Sequence, residues 1–248
     1  MKHEILYSIH PVIEALKANR RKITEIFLSR RRISKRLKAI EDCASSKKIP
    51  VRRVSDAELN KMSPEDHHQG VTARVDRFPL TKFGSFTAPV QTAKNGRLLI
   101  LLDGIVDPHN LGTIIRTALG VNAIAVIIPK NRAVGPTPAV SKASSGALEH
   151  IHLVEATNIS AALKTIKSNG WWVYGMVQQD GQSLYDTDLT GNVAMVIGGE
   201  ERGLRTLVKQ NCDFLLTIPQ QGPVTSLNAS VAAAVAMYEV FRQQHGSN

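Results

Sequence analysis

The chain has 248 residues, of which 43% are hydrophobic and 5% aromatic, and a formal net charge of +10. This composition supports a substantial core and disfavours both disorder and an aromatic platform for stacking single-stranded bases. No apolar run approaches the roughly 20 residues of a membrane span, and the start lacks a signal-peptide core. Cys43 and Cys212 lie far apart without metal-ligand spacing. We expect a soluble cytoplasmic protein with reduced thiols and no metal.

The positive charge is concentrated in the first third of the chain. Residues 1–76 contain 17 Lys and Arg against 10 Asp and Glu, whereas residues 77–248 contain 14 against 11. Solvation of the surface alone is the simpler explanation of a high pI. An excess confined to one segment favours a polyanionic partner, and we therefore expect that segment to bind nucleic acid.

Helix and strand patterns alternate through residues 1–76, which predicts a small α/β domain. Residues 77–96 carry Pro and Gly without periodicity and are predicted to be a linker. The predicted elements of the first domain are a helix over 10–17, a strand over Ile23–Ser29, a helix over Ser34–Lys47, a strand over Ile49–Val54, a helix over Asp56–Met62 capped by Ser55, and a strand over Gly70–Val75.

Residues 97–248 predict a second domain that begins with a continuous apolar strand, Leu98–Asp103. A strand of this kind is typical of a parallel sheet that is covered on both faces, so we expect a doubly wound α/β domain. Further strands are predicted over 123–128, 152–154, 172–177, 193–197 and 214–218. Helices are predicted over 110–119, 139–148, 160–168, 204–210 and 228–244, and Gly-Pro-Thr-Pro at 135–138 is predicted to be a turn.

Three polar segments follow predicted strands of the second domain. Because the carboxyl ends of parallel strands meet at one edge, this is where a ligand crevice is expected. Taken singly, each segment is also explained as a helix cap or a glycine turn with solvated charges. No Gly-x-Gly-x-x-Gly follows the first strand, which disfavours a nicotinamide enzyme. The segments are Asn110-Leu-Gly-x-x-x-Arg116 with Asn110 as N-cap, Gly198-Gly199-Glu200-x-x-Gly203, and Thr225-Ser226-Leu227-Asn228 with Asn228 as N-cap.

Together, in this order and spacing, the three segments closely resemble the motifs of the SpoU (TrmH) ribose 2′-O-methyltransferases. The basic first domain, with His67-His68-Gln69-Gly70-Val71 before its last strand, resembles the substrate-binding domain of the RlmB-type branch. That domain is similar to ribosomal protein L30. The resemblance covers nearly the whole chain.

The resemblance implies an L30e-like domain followed by a doubly wound parallel-sheet domain with a C-terminal trefoil knot. It also implies S-adenosylmethionine as methyl donor, a homodimer packed through the knotted domain, and a guanosine ribose in 23S rRNA as substrate. Two alternatives remain open: a tRNA ribose methyltransferase of the same family, and a catalytically silent RNA-binding or ribosome-assembly protein.

The resemblance also implies roles for individual residues. Arg116 lies at the nucleophile, where a permanently protonated guanidinium suits phosphate binding and alkoxide stabilisation better than general-base catalysis. Asn110 and Glu200 orient it, Ser226 and Asn228 complete the pocket, and Glu201 is a surface residue. The methyl donor is expected at Gly198, Gly199, Ile218, Gly222, Ser226 and Leu227. RNA phosphates are expected at Arg20, Arg21, Arg30, Arg31, Arg32, Arg52 and Arg53.

Overall fold

A computed structural model describes residues 3–63, 67–86, 97–223 and 226–246, which fold into two compact units. The N-terminal unit comprises Met1–Pro79 together with Pro136–His150. The C-terminal unit comprises Leu80–Gly135 and Ile151–Asn248. The division differs from the predicted one, because residues 136–150, which were predicted to belong to the second domain, pack in the N-terminal unit.

The N-terminal unit has a four-stranded mixed sheet in the order β1-β4-β2-β3. The predicted helices and strands are confirmed, and β1 is an additional strand that the sequence did not predict. Strand β4 runs antiparallel to β1 and β2, and β3 runs parallel to β2. The elements are β1 (Glu4–Tyr7), α1 (Ile9–Ala18), β2 (Ile23–Ser29), α2 (Lys35–Ser46), β3 (Val51–Val54), α3 (Asp56–Met62) and β4 (Val71–Val75).

The remaining elements are strands connected mostly by helices, and all except α5 belong to the C-terminal unit. The predicted parallel α/β class is confirmed. In chain order the elements are β5 (Thr81–Lys82), β6 (Arg97–Asp103), α4 (Pro108–Gly120), β7 (Ala125–Pro129), α5 (Pro138–Ala143), β8 (Leu153–Ala156), α6 (Ile159–Ser168), β9 (Trp172–Met176), β10 (Gln182–Ser183), β11 (Asn192–Gly198), α7 (Thr206–Asn211), β12 (Phe214–Thr217) and α8 (Ala229–His245).

The eight strands form one sheet in the order β10-β12-β9-β11-β6-β7-β8-β5, and every neighbouring pair is parallel. Strand β6 lies centrally, and Leu98–Asp103 is buried as its apolar sequence predicts. The edge strand β5 falls within the predicted linker, of which residues 87–96 lie outside the described part of the chain. Two residues are too few for a period to be visible in the sequence.

Helices cover both faces of this sheet. Leu99 and Leu101 of β6 share a buried cluster with α6 and with Val208 of α7. The intervening residues of β6 are equally buried, and α8 packs against α4, β6 and β11 on that opposite side. Ala233 and Ala236 are fully buried in α8, and their small side chains let its backbone approach its neighbours closely.

The segment 136–150 is tied to the N-terminal unit by a buried ion pair. Glu149 accepts hydrogen bonds from Arg21 Nε at 3.0 Å, from Arg21 Nη2, and from Ser141 Oγ at 2.9 Å. The side chains of Arg21 and Glu149 are each 1% exposed. Arg21 was predicted to bind RNA phosphates; that prediction is wrong for this residue, because its guanidinium is enclosed and paired.

The start of this segment also corrects the predicted turn at 135–138. Thr137 accepts a hydrogen bond from Val140 N at 3.4 Å, and Pro138 occupies the first turn of α5. Both are typical helix-start features. The predicted helix over 139–148 is interrupted after Ala143, where Ser145 and Gly146 adopt positive φ angles of 52° and 83°.

Replacing Arg21 with Met should lower the free energy of unfolding by about 3–5 kcal/mol, because Glu149 is left as an unpaired buried charge. Adding Glu149→Leu to this variant should recover much of the loss, since a buried pair replaced by apolar side chains is close to neutral. Urea denaturation measures both. Lys17→Met, which removes a charge at the surface, is the control and should change stability by less than about 0.5 kcal/mol; an equal loss in Lys17→Met and Arg21→Met would contradict the prediction.

Candidate active site

The carboxyl ends of β6 and β11 are joined by hydrogen bonds through the loop of residues 198–205, here called the 198–205 loop. Gly199 N donates to Asp103 O at 3.0 Å, and Gly203 N donates to Gly199 O at 2.9 Å. The chain therefore turns tightly where β11 ends, and then enters α7. This places the second predicted segment beside the end of the central strand.

Glycine is required at the beginning of this loop. A Cβ atom on Gly198 would lie 2.5 Å from Leu204 N, and one on Gly199 would lie 2.5 Å from Gly104 O. Gly203 has φ +59°, a left-handed conformation that favours glycine. The glycines thus serve close packing of the loop on itself and on residue 104.

Asp103 fixes the other end of the loop, a contact that the sequence analysis missed. Its carboxylate, on a residue that is 2% exposed, accepts from Arg205 N at 2.8 Å, Arg205 Nε at 2.6 Å and Arg205 Nη2 at 2.5 Å. The signal was available, because an acidic residue that ends a wholly apolar strand needs a partner when it is buried.

Asn110 and Glu200 meet across the site, but Asn110 is not the cap that was predicted. Asp107 caps α4 by accepting from His109 N at 3.0 Å, and Pro108 follows it. Asn110 lies within the first turn, 8% exposed, and its Nδ2 donates to Glu200 Oε1. The first and second predicted segments are therefore brought together by a hydrogen bond.

Arg116 lies on a different face of α4 from Asn110. Six residues correspond to about 9 Å along a helix and to about 120° around its axis. Arg116 is accordingly exposed, whereas Asn110 is buried. Within one chain, the two side chains therefore leave α4 in different directions.

Asn228 caps α8, as predicted. Its Oδ1 accepts from Ser230 N at 2.8 Å and from Ser230 Oγ at 2.6 Å. Ser226 and Leu227 before it are exposed, and Thr225 lies outside the described residues. Asn228 therefore has a structural role at the start of the last helix.

A cleft of about 430 Å³ opens between the 198–205 loop and the start of α8. Four of the six predicted donor-binding residues line it: Gly198, Gly199, Ile218 and Leu227. Among the described residues, its lining does not include Gly222, Ser226, Asn228 or Arg116. Glu200 and Gly203 also line it, and the further lining residues are Met176, Val177, Gln178, Gln179, Ile197, Glu201, Arg202, Leu204, Lys209, Gln220, Ala229 and Ala232.

The described part of the chain also bears on metal ligands, membrane-spanning helices and thiols. It contains no group of three His, Cys, Asp or Glu residues able to hold a metal, and none of its helices has the length and apolarity to cross a membrane. Cys43 and Cys212 are free thiols. Burial, reinforced by the charge of Asp213, raises the pKa of Cys212 to about 12, so this thiol is protonated at neutral pH and is a poor nucleophile.

A second candidate surface lies in the N-terminal unit, just after the parallel strand β2 and within its neighbour β3. Its arginines are exposed and adjoin one another, since Arg30 Nε donates to Arg53 O at 3.1 Å. Arg20 lies apart from them, stacked 5.5 Å from the ring of Phe78. The exposed arginines of this surface are Arg30, Arg31, Arg32, Arg52 and Arg53.

Fold and site together define a parallel α/β domain with its ligand crevice at the carboxyl edge, preceded by a basic α/β unit. Residues 97–238 match the SpoU rRNA Methylase family, and residues 5–81 match the RNA 2′-O ribose methyltransferase substrate-binding family. The chain belongs to the SpoU rRNA methylase family and is an RNA 2′-O-methyltransferase by that membership.

Relatives match along nearly the whole chain. The 23S rRNA (guanosine-2′-O-)-methyltransferase RlmB of Xylella fastidiosa is 38% identical over 98% of this chain and 98% of its own length. A Synechocystis protein named an uncharacterized tRNA/rRNA methyltransferase is 37% identical over 97% of this chain, which spans 63% of that protein. The crystal structure of the SpoU methyltransferase AviRb from Streptomyces viridochromogenes with AdoMet has a TM-score of 0.80 at 22% identity, covering 99% of this chain and 92% of that one.

Gly198→Ala should lower the free energy of unfolding by about 1–3 kcal/mol, because the new methyl group overlaps the backbone of residues 203 and 204. Gly191→Ala is the matched control, since a Cβ there meets nothing within 4 Å. Its effect should stay within about 1 kcal/mol in either direction. Urea denaturation of both variants is the measurement, and equal stabilities would show that the loop is not closely packed.

Proposed function

We propose that this protein transfers a methyl group from S-adenosylmethionine to the ribose 2′-OH of a guanosine in 23S rRNA. The observation that carries the proposal is the hydrogen bond between Asn110 and Glu200 beside the cleft, which joins two family motifs from distant parts of the chain. The RlmB relative, named for this activity and similar over almost its full length, supports the substrate.

The cleft fits the methyl donor in size and in chemistry. Its volume lies within the roughly 300–1,000 Å³ of small-molecule sites. Ile218, Leu227 and Ala229 offer an apolar wall for a nucleoside, and the backbone around Gly198 and Gly199 offers hydrogen-bonding groups. When bound, the donor supplies a methyl group carried on a positively charged sulfur, which is a good leaving group.

The chain must supply positioning and charge stabilisation for the ribose oxygen. We assign Arg116 to the phosphate beside the target ribose and to the negative charge that develops on the 2′-oxygen. A guanidinium remains protonated at neutral pH and therefore does not remove the proton itself. Asn110 holds Glu200 in place, and we assign this pair to orienting Arg116. Ser226 and Asn228 lie outside the cleft lining, and we assign them to completing the pocket on the family motif alone.

A homodimer explains why Arg116 is exposed and outside the cleft lining of its own chain. The packed helices α4, which carries Arg116, and α8 also expose apolar side chains: Leu119 is 37% exposed, Val231 47% and Tyr238 56%. We propose that a second copy covers this face and that Arg116 serves the partner's cleft.

We also propose the trefoil knot of the family, with α8 as the threaded helix. The packing of α8 against α4, β6 and β11 supports this assignment.

The N-terminal unit is proposed to bind the RNA through its exposed arginines, which supply affinity with little sequence recognition. For the order of functions along the sequence, we propose residues 1–76 as the RNA-binding domain, 77–96 as the linker and 97–248 as the methyltransferase domain. This division differs from the two structural units in the placement of residues 136–150. The match of residues 97–238 to the SpoU rRNA Methylase family favours rRNA over tRNA, as does the Xylella relative. Because the proposed substrate is ribosomal RNA, we also propose that the protein acts in the cytoplasm.

The test is methyl transfer from tritiated S-adenosylmethionine to total RNA from a strain lacking the gene. We expect label in large-subunit rRNA, at the 2′-oxygen of one guanosine. Arg116→Ala should lower the rate of methyl transfer by a factor of about 100 or more, because Arg116 acts on the acceptor oxygen. Its affinity for the donor should equal that of the wild type.

Three outcomes would contradict this assignment. Label in tRNA alone would favour the tRNA methyltransferase. Donor binding without methylation of any RNA would favour a silent assembly protein. Equal loss of donor binding and rate in Arg116→Ala would give Arg116 a structural role.

A further inference from the structure

A second cavity lies on the opposite side of the 198–205 loop from the cleft. It measures about 280 Å³ and is lined by the same loop residues, Gly199–Gly203, on one side. On the other side it is lined by Val106, Asn131 and Arg132, which follow β6 and β7. The loop is therefore a wall shared by two cavities at the carboxyl edge of the sheet.

A third cavity of about 430 Å³ continues in the same direction. It shares Asn131, Arg132 and Arg205 with the second cavity. It extends to Asn158, which follows β8, and to Leu207 of α7. The second and third cavities, here called the edge groove, thus follow the strand order β11-β6-β7-β8. Three strand spacings correspond to about 14 Å, which exceeds the length of one nucleotide along a stacked strand.

At its far end, in the third cavity, the edge groove is lined by Arg132 and Arg205 and by no carboxylate, whereas Asp103, Glu200 and Glu201 line its other end beside the 198–205 loop. Arg132 and Arg202 line it and are exposed, and within the described ranges neither forms an ion pair. Arg205, in contrast, is held by Asp103. Arg132 also has φ +59°, a sparsely populated conformation for a residue with a side chain. The turn after β7 therefore holds this guanidinium in the groove at some conformational cost.

The groove offers apolar contacts beside the charge. Val106 is 60% exposed and lines the second cavity, and Leu207 is 67% exposed and lines the third. A surface that combines guanidinium groups with exposed aliphatic side chains suits a nucleic acid strand, because phosphates bind the former and base faces can lie against the latter.

We propose that the edge groove binds the single-stranded RNA next to the target nucleotide, with Arg132 binding a flanking phosphate. This inference rests on the proposed function and extends it from the reacting ribose to its neighbours. The 198–205 loop then separates the donor, in the cleft, from the RNA strand, in the groove. Arg132 is a substrate-binding residue that takes no part in methyl transfer itself.

The test variant is Arg132→Asn, since Asn tolerates a positive φ and lacks the guanidinium group. Lys164→Gln, at an exposed position of α6 outside the edge groove, is the control for loss of one positive charge. The substrate is rRNA from the deletion strain. We expect Arg132→Asn to raise the KM for RNA about tenfold and to lower the salt dependence of log KM by about 0.7–0.9, the effect of one phosphate contact. The kcat and the Kd for S-adenosylmethionine should stay within about twofold of the wild type, and Lys164→Gln should change none of these values.

An unchanged KM in Arg132→Asn would overturn the inference, and so would a loss confined to kcat or to donor binding. The failure of the proposed function is a different result, in which the wild type methylates no RNA. In that case fluorescence anisotropy with the same rRNA, labelled with fluorescein, still tests the groove. Weaker binding by Arg132→Asn than by Lys164→Gln supports the groove, and equal binding overturns it.

Discussion

The buried carboxylate of Asp103 is the contact on which the site depends. It ends the central strand and accepts hydrogen bonds from both the backbone and the side chain of Arg205. Arg205 is half exposed, so solvent screens its charge, and the backbone contact gives the more constant restraint. With one end held by Asp103 and the other packed through Gly198 and Gly199, the 198–205 loop has little freedom. Glu200 is thereby presented to Asn110, and the cleft is separated from the edge groove.

A parallel sheet makes this arrangement possible, because it brings the ends of several strands to one edge. The cleft uses the ends of β9, β11 and β12, and the groove uses those of β6, β7 and β8. Residues 136–150 follow β7 in the sequence but belong to the N-terminal unit. There, Arg21 and Glu149 form a buried pair of opposite charges. That pair uses an arginine whose sequence context suggests a role in RNA binding.

Most of the fold was predictable because it rests on local patterns. The apolar run of β6 and the capping positions of α3 and α8 are visible in the sequence, whereas β5 and β10 have only two residues each. Contacts between distant residues were not predictable. The pairing of Arg21 with Glu149 removes one expected RNA contact, Asp107 replaces Asn110 as the cap of α4, and Gly222 lies outside the described lining of the cleft. The spacing of the motifs identified the family, but it did not reveal which face of a helix each motif residue occupies.

The most direct measurement is a crystal structure of the protein with S-adenosylhomocysteine and a short RNA that contains the target guanosine. We predict the donor product in the cleft, against Gly198, Ile218 and Leu227, with the RNA strand that flanks the target nucleotide on the other side of the 198–205 loop. The 2′-oxygen of the target should lie near Glu200 of one chain and Arg116 of the partner, within reach of the donor. A donor product bound outside the cleft, or a flanking strand on the same side of the loop as the donor, would contradict the central role of this loop.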